Sequence, residues 1–301
     1  MGLCAGKGRV LHNRATMPQA EQFDYEAATA PQPGPFGRFY LQELINSGGM
    51  ADLWLATDSS GKHFALRKLR KTTTFDFTTR KRFIAGCEIL SKIHNHEFVI
   101  TYHEHGKIDG SYYLLMQYVE GGNLKQLYAR NDEVLQQFVG NILIDMAVAL
   151  EHVHDSGFMH LDFKPENVMV TRNGNVRLID FDLAMPIPKE PIKLAKNPGT
   201  PAYMAPEQLL RNPIDHHVDI FSFGVSAYEL LTGSKPFPGE TPDEVLRQQL
   251  DPQFLKPPRE LNPDIPAVLE KTVLKCLDRD PAKRHPIMTM LVRELEAALY
   301  V

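Results

Sequence analysis

The chain has 301 residues, 43% hydrophobic and 23% charged, with a formal net charge of −4. That balance fits one large or two modest globular domains and excludes a disordered, fibrous or membrane-embedded chain. It carries no overall basic field, so nucleic acid is not expected as a partner. Cys4, Cys87 and Cys276 are three, far apart and without a C-x-x-C pair. A disulfide framework is therefore excluded, and a reducing, cytoplasmic location is expected.

Residues 1–36 lack periodicity, and Ala30-Pro31-Gln32-Pro33-Gly34-Pro35 reads as a stiff spacer, so this stretch is expected to be a flexible leader. Met1-Gly2-Leu3-Cys4 starts like an acylation signal, but Gly6 stands where Ser or Thr is required. Lys7, Arg9 and His12 make it too polar for a signal peptide. The strand-like segments Phe39 to Leu44, Leu53 to Ala56, His63 to Leu69 and Tyr112 to Tyr118 follow, separated by Gly-containing turns. Among them, Arg80 to Ile93 has helical spacing, with Phe83, Cys87, Leu90 and Ile93 on one face. After Glu120-Gly121-Gly122 the pattern turns helical: Leu135 to Asp155, Val218 to Thr232, Leu269 to Leu277 and Met288 to Leu299. No membrane span is expected, because the most apolar run, Val139 to Val153, is broken by Asn141, Asp145 and Glu151. A small β-rich lobe followed by a larger helical lobe is an α+β arrangement with a cleft between, where small ligands usually bind.

The chemistry concentrates in His160-Leu161-Asp162-Phe163-Lys164-Pro165-Glu166-Asn167 and, 13 residues later, Asp180-Phe181-Asp182. Val168 to Val170 and Val176 to Ile179 read as a hairpin turning at Asn173-Gly174, which brings Asn167 and Asp180 together. An amide oxygen and a carboxylate suit Mg²⁺ when phosphates supply its remaining ligands. Asp162 is placed to accept a hydroxyl proton, and Lys164 to neutralise a phosphoryl group in transfer.

This ordered set resembles the eukaryotic-like protein kinases, most of all their bacterial serine/threonine members. Gly199-Thr200-Pro201-Ala202-Tyr203-Met204-Ala205-Pro206-Glu207, Asp219 to Gly224 and Cys276 to Arg284 extend the resemblance over about Phe39 to Leu299. It implies a bilobal protein-kinase-like fold at 37–300, with an N-lobe at about 37–116, a hinge at 117–121 and a C-lobe at 122–300. It also implies ATP and Mg²⁺, a protein substrate bearing Ser or Thr, catalytic Asp162 and Lys164, metal ligands Asn167 and Asp180, and a structural ion pair between Glu207 and Arg284. Around the nucleotide it places Asn46, Gly48, Ala51, Leu53, Ala65, Arg67, Gln117, Val119, Asn123 and Met169, with Met116 limiting the rear of the adenine pocket.

The sequence departs from that pattern mostly in the nucleotide half. Of the G-x-G-x-x-G glycines only Gly48 remains, with Asn46 and Ala51 at the others. The V-A-x-K lysine is Arg67, a planar fork in place of a point charge. Lys68 falls on the opposite face of the strand and would serve only after a register slip. Gly86 occupies the position of the partner glutamate, and Glu88 lies about 200° around the helix. Either the helix rotates, or Arg67 reaches Glu88 by its extra length, or no ion pair forms. Asp182 replaces the glycine of D-F-G, an added carboxylate of open consequence. Leu161 replaces the arginine that clamps an activation-loop phosphate, and no Ser, Thr or Tyr lies between Phe181 and Gly199, so no phosphorylation switch is expected there. Two readings follow: an active serine/threonine kinase, favoured by the complete set Asp162, Lys164, Asn167 and Asp180, and a pseudokinase scaffold that holds ATP, favoured by Arg67 with Gly86.

Overall fold

The computed structural model describes residues 31–70, 77–196 and 198–299. Most of the expected leader lies outside the described residues. Its last three positions do not behave as leader: Gly34–Phe36 (β1) pairs with the start of Phe39–Ser47 (β2) around Gly37, whose φ is +58°. Phe36 is buried, its ring 5.8 Å from Tyr113. Three residues are too few for alternation to show, and Pro35 is tolerated because the strand lies at an edge.

Ala51–Thr57 (β3), His63–Leu69 (β4), Tyr102–Ile108 (β5) and Ser111–Gln117 (β6) complete a six-stranded antiparallel sheet in the order β1-β2-β3-β4-β6-β5. The unforeseen strand, β5, is the other edge; none of its residues is fully buried, so it lacks the alternation that marks its neighbours. Period-2 alternation divides the sheet into two faces. Phe64 and Leu66 of β4 join Phe36, Phe39, Leu41, Trp54, Tyr113 and Leu115 in an outer core. Ala65 and Leu69 join the main core with the helix Phe77–Ile93 (α1), which buries Phe83, Cys87, Leu90 and Ile93 as the spacing predicts. Lys68 goes with the outer face, its Nζ 4.5 Å over the Phe36 ring, while Arg67 goes with the inner one.

The second lobe begins with Gly121–Asn123 (β7), Leu124–Ala129 (α2) and Glu133–Asp155 (α3). By length and hydropathy α3 would pass for a membrane span. Here it is a core helix, with Ile142, Leu143, Met146, Leu150 and Val153 buried, and it packs on His217–Thr232 (α5) and Met288–Leu299 (α9). Between α3 and α5 run Phe158–Met159 (β8), Val168–Thr171 (β9), Val176–Leu178 (β10), Met185–Pro186 (β11) and Pro206–Leu209 (α4). The expected hairpin is β9–β10, with Gly174 at φ +79° in its turn, and β7 pairs with the free side of β9. Pro242–Leu250 (α6), with a Thr241–Glu244 capping box, Pro258–Leu261 (α7) and Ala267–Cys276 (α8) fill the lobe ahead of α9.

The side chain of Asp145 on α3 has no hydrogen bond or ion pair among the described residues, with only the Arg177 charge nearby to favour its ionised form. Burial, with the Glu97 charge beside it, pushes its carboxyl up to about 6. A carboxyl raised in the folded state binds its proton more tightly there than in the unfolded chain, so it weakens the fold above about pH 6 and ceases to do so below about pH 4. Asp145→Asn is expected to stabilise the protein by roughly 1–2 kcal/mol at pH 7.5, after discounting for solvent screening, and by nothing at pH 4. Thermal melts at the two pH values check this; equal shifts at both would contradict it.

Candidate active site

The loop 160–167 joins β8 to β9 and hangs from one buried carboxylate. Asp219, in the first turn of α5, accepts from the backbone N–H of His160 (2.7 Å) and Leu161 (2.8 Å) and pairs with His154 Nε2 (2.9 Å). These bonds, with burial of the Leu161 side chain, hold Leu161 at φ +65°, a conformation costing a leucine about 1–2 kcal/mol. The strained residue sets the direction of the next one, Asp162, toward Lys164 and Thr200.

Asp162, Lys164 and Thr200 close a triangle. Lys164 Nζ donates to Asp162 Oδ2 (2.7 Å) and to Thr200 Oγ1 (2.7 Å), and Thr200 Oγ1 donates to Asp162 Oδ1 (2.9 Å). Asn167 braces the same loop, its Nδ2 donating to the Asp162 carbonyl (2.8 Å). This turns Asn167 Oδ1 away, and no donor engages it among the described residues. Ile179 N–H donates to the Asn167 carbonyl (2.9 Å), so the hairpin delivers Asp180 next to Asn167. Asp180 sits at φ +64°, which an aspartate tolerates, and Phe181 packs its ring 5.0 Å from His160.

Arg67 comes down from the sheet onto this segment. Its Nη1 lies 3.1 Å from Asp180 Oδ1 and 2.9 Å from Asp182 Oδ1, and its Nη2 lies 2.6 Å from Asp182 Oδ2. Burial works to raise the Asp180 carboxyl and is outweighed by the Arg67 guanidinium and by His160, which hold it below the usual carboxylate range. Burial and the neighbouring Asp180 charge push the Asp182 carboxyl up to about 6, against the pull of Arg67.

The β2–β3 turn closes with Gly48 N–H donating to the Ala51 carbonyl (3.1 Å). Asn46 is paired across from Leu53 at the mouth of the turn. Ala65 and Met116 are buried on paired positions of β4 and β6. At the end of β6, Gln117 N–H donates to the Thr101 carbonyl (2.9 Å), whereas the N–H and C=O of Val119 have no hydrogen bond among the described residues. Met169 of β9, half-buried, sits opposite Asn123. At the base of the second lobe, Arg284 grips Glu207 with both nitrogens (2.7 and 2.8 Å).

The family model described as "Protein kinase domain" matches residues 39–295. The chain belongs to the protein kinase family. Similar curated proteins include a probable serine/threonine-protein kinase of Clostridium acetobutylicum (31% identical; 86% of this chain, 39% of that protein). Two more are the probable serine/threonine-protein kinase PknB of Corynebacterium glutamicum (31%; 86% and 42%) and the serine/threonine-protein kinase PrkC of Bacillus subtilis (28%; 87% and 40%). The chain spans about two fifths of the length of these relatives. Kinase-family membership implies ATP as phosphoryl donor and, typically, Mg²⁺. The donors fit such an ion: Asn167 Oδ1 and Asp180 Oδ2 are hard oxygens on adjoining segments, both free of other hydrogen bonds among the described residues.

One expectation about the kinase domain changes. Glu88 is exposed and does not meet Arg67, because α1 keeps the rotation set by its buried face and thereby turns Glu88 to solvent. Arg67 is instead partnered from the 180–182 segment. Asn123 is the N-cap of α2, its Oδ1 accepting from Gln126 N–H (2.9 Å). Two features escaped sequence reading. Asp182 as the partner of Arg67 was detectable in principle, since a missing acid at Gly86 coincides with an extra one at Asp182. The buried Asp52 was not: Arg70 Nε (2.8 Å) and Ser47 Oγ (2.8 Å) converge on it and brace the β2–β3 turn, a cluster made by strand register alone.

Proposed function

We propose that this kinase domain transfers the γ-phosphoryl group of ATP to a serine or threonine hydroxyl of a protein. The observation that carries the reading is the closed triangle of Asp162, Lys164 and Thr200. The carboxylate of Asp162 orients the incoming hydroxyl and takes its proton. Lys164, held by Asp162 and Thr200, places a positive charge where the transferred group carries excess negative charge. Asn167 and Asp180 hold Mg²⁺, which neutralises phosphate charge when bound. Arg67 and the amides around Gly48 bind the phosphates, Ala65 and Met169 sandwich the base, and the backbone of Gln117 and Val119 hydrogen-bonds it.

Main-chain bonds hold the described part of the activation segment. β11 pairs with β8, Ile187 N–H donates to the Gly157 carbonyl (2.8 Å), and Ile192 and Ile214 exchange two bonds (3.0 and 2.8 Å). With Leu161 buried where an arginine clamp would sit, the segment needs no phosphorylation to order it. The scaffold alternative rested on Arg67 and Gly86, and nothing in their surroundings leaves Arg67 without a partner.

Labelled ATP with Mg²⁺ and a generic protein substrate is expected to yield phosphoserine or phosphothreonine. Asp180→Asn should lower that turnover by at least about 100-fold. Thermal stabilisation by ATP without any label transfer in the wild-type chain would favour the scaffold instead.

A further inference from the structure

Three departures from the family pattern, Arg67, Gly86 and Asp182, meet at one point. The Arg67 guanidinium lies over the Phe83 ring at 5.6 Å and offers both nitrogens to Asp182 in a two-point fork. Asp182 is almost wholly enclosed, its side chain 6% exposed, and both of its oxygens are taken by Arg67. Nη1 also reaches Asp180, so one planar group spans two carboxylates. A lysine, with a single nitrogen, does not reproduce that fork.

Gly86 makes the arrangement possible. A Cβ there would lie 2.9 Å from the Asp182 Cα and 2.9 Å from the C and O of Phe181. These are backbone atoms, which do not yield as a flexible side chain would. α1 therefore touches the 181–182 segment directly, and no acidic side chain fits at position 86.

We propose that Asp182 is the positioning residue for Arg67, replacing the glutamate that the family carries on the helix, with Gly86 as the clearance that admits it. The proposal rests on the kinase reading, in which Arg67 meets the nucleotide phosphates. The acid has moved from the helix to the metal-binding segment, so Arg67 takes its charge partners from residues 180–182, while α1 contributes the Phe83 ring and the clearance at Gly86. Asp182 is thereby spent on Arg67 and is not a further metal ligand.

Calorimetric binding of ATP and of adenosine tests this on the full chain. Asp182→Gly is expected to weaken ATP about 10- to 50-fold and adenosine less than twofold, since only phosphates need Arg67. The isosteric Asp182→Asn, which keeps the shape, should show the same selectivity in a milder form. In the double variant Arg67→Ala/Asp182→Gly the loss should be no greater than in Arg67→Ala alone. Arg67→Lys/Gly86→Glu, which rebuilds the family pair on paper, should bind ATP worse than wild type because the new side chain has no room. Equal weakening of ATP and adenosine, no weakening of either in both Asp182 variants, or additive losses overturn the proposal. If those results come with wild-type turnover, the kinase reading survives; a wild-type chain that binds no ATP ends both.

Discussion

Asp162→Ala is expected to reduce phosphoryl transfer by about 10³-fold, within the 10²–10⁴ typical of a positioned general base, while ATP still stabilises the protein against heat. The separation follows from the geometry. Asp162 belongs to the triangle with Lys164 and Thr200, whereas the groups assigned to the nucleotide sit on the sheet, the linker and the 180–182 segment. Removing the carboxylate also frees Lys164 from one of its two partners, so the charge proposed to face the phosphoryl group loses its aim as well. Asp162→Asn keeps the hydrogen bond to Thr200 but not the basicity, and should be almost as inactive. Turnover within tenfold of wild type in either variant would remove Asp162 from the chemistry.

The second large effect concerns the fold rather than the reaction. Arg284 has no exposed side-chain surface. Besides Glu207 it donates to the carbonyls of His217 (2.9 Å) and Asp278 (2.8 Å), and it lies 4.9 Å over the Phe221 ring. Arg284→Leu strands the Glu207 carboxylate in a nearly closed site. Breaking a buried pair from one side costs about 3–5 kcal/mol, which for a chain of this size lowers the melting temperature by about 10 °C or more. Glu207→Leu/Arg284→Leu should recover part of that loss, because no orphaned charge remains. Urea midpoints of the three proteins measure it; a single variant within 1 kcal/mol of wild type would show that the pair carries no such weight.

The two halves of the active site differ in how far they were legible. The catalytic loop and the β9–β10 hairpin were readable because each is local, and the Glu207–Arg284 pair, 77 positions apart, was expected only because the family resemblance implies it. The nucleotide half was not, because its decisive interaction joins Arg67 to Asp182 across 115 positions. Residue identities there showed a charge without its usual partner and an acid without its usual place, and no spacing rule connects the two. Likewise β1 and β5, the sheet edges, are half-exposed or very short and leave little periodic trace.

Alternating and helical hydrophobic patterns were enough to place the β-rich and helical lobes, because burying one face of each element requires that pattern, whereas the loop of Asp162, Lys164 and Asn167 was read from its motif and the family resemblance. Alternation also put Lys68 on the outer face, where it lies over Phe36. Which acid meets Arg67, and why α1 must carry a glycine at 86, depended on backbone atoms meeting at 2.9 Å. Close approach between segments distant in the chain is a property of packing, and only the folded molecule contains it.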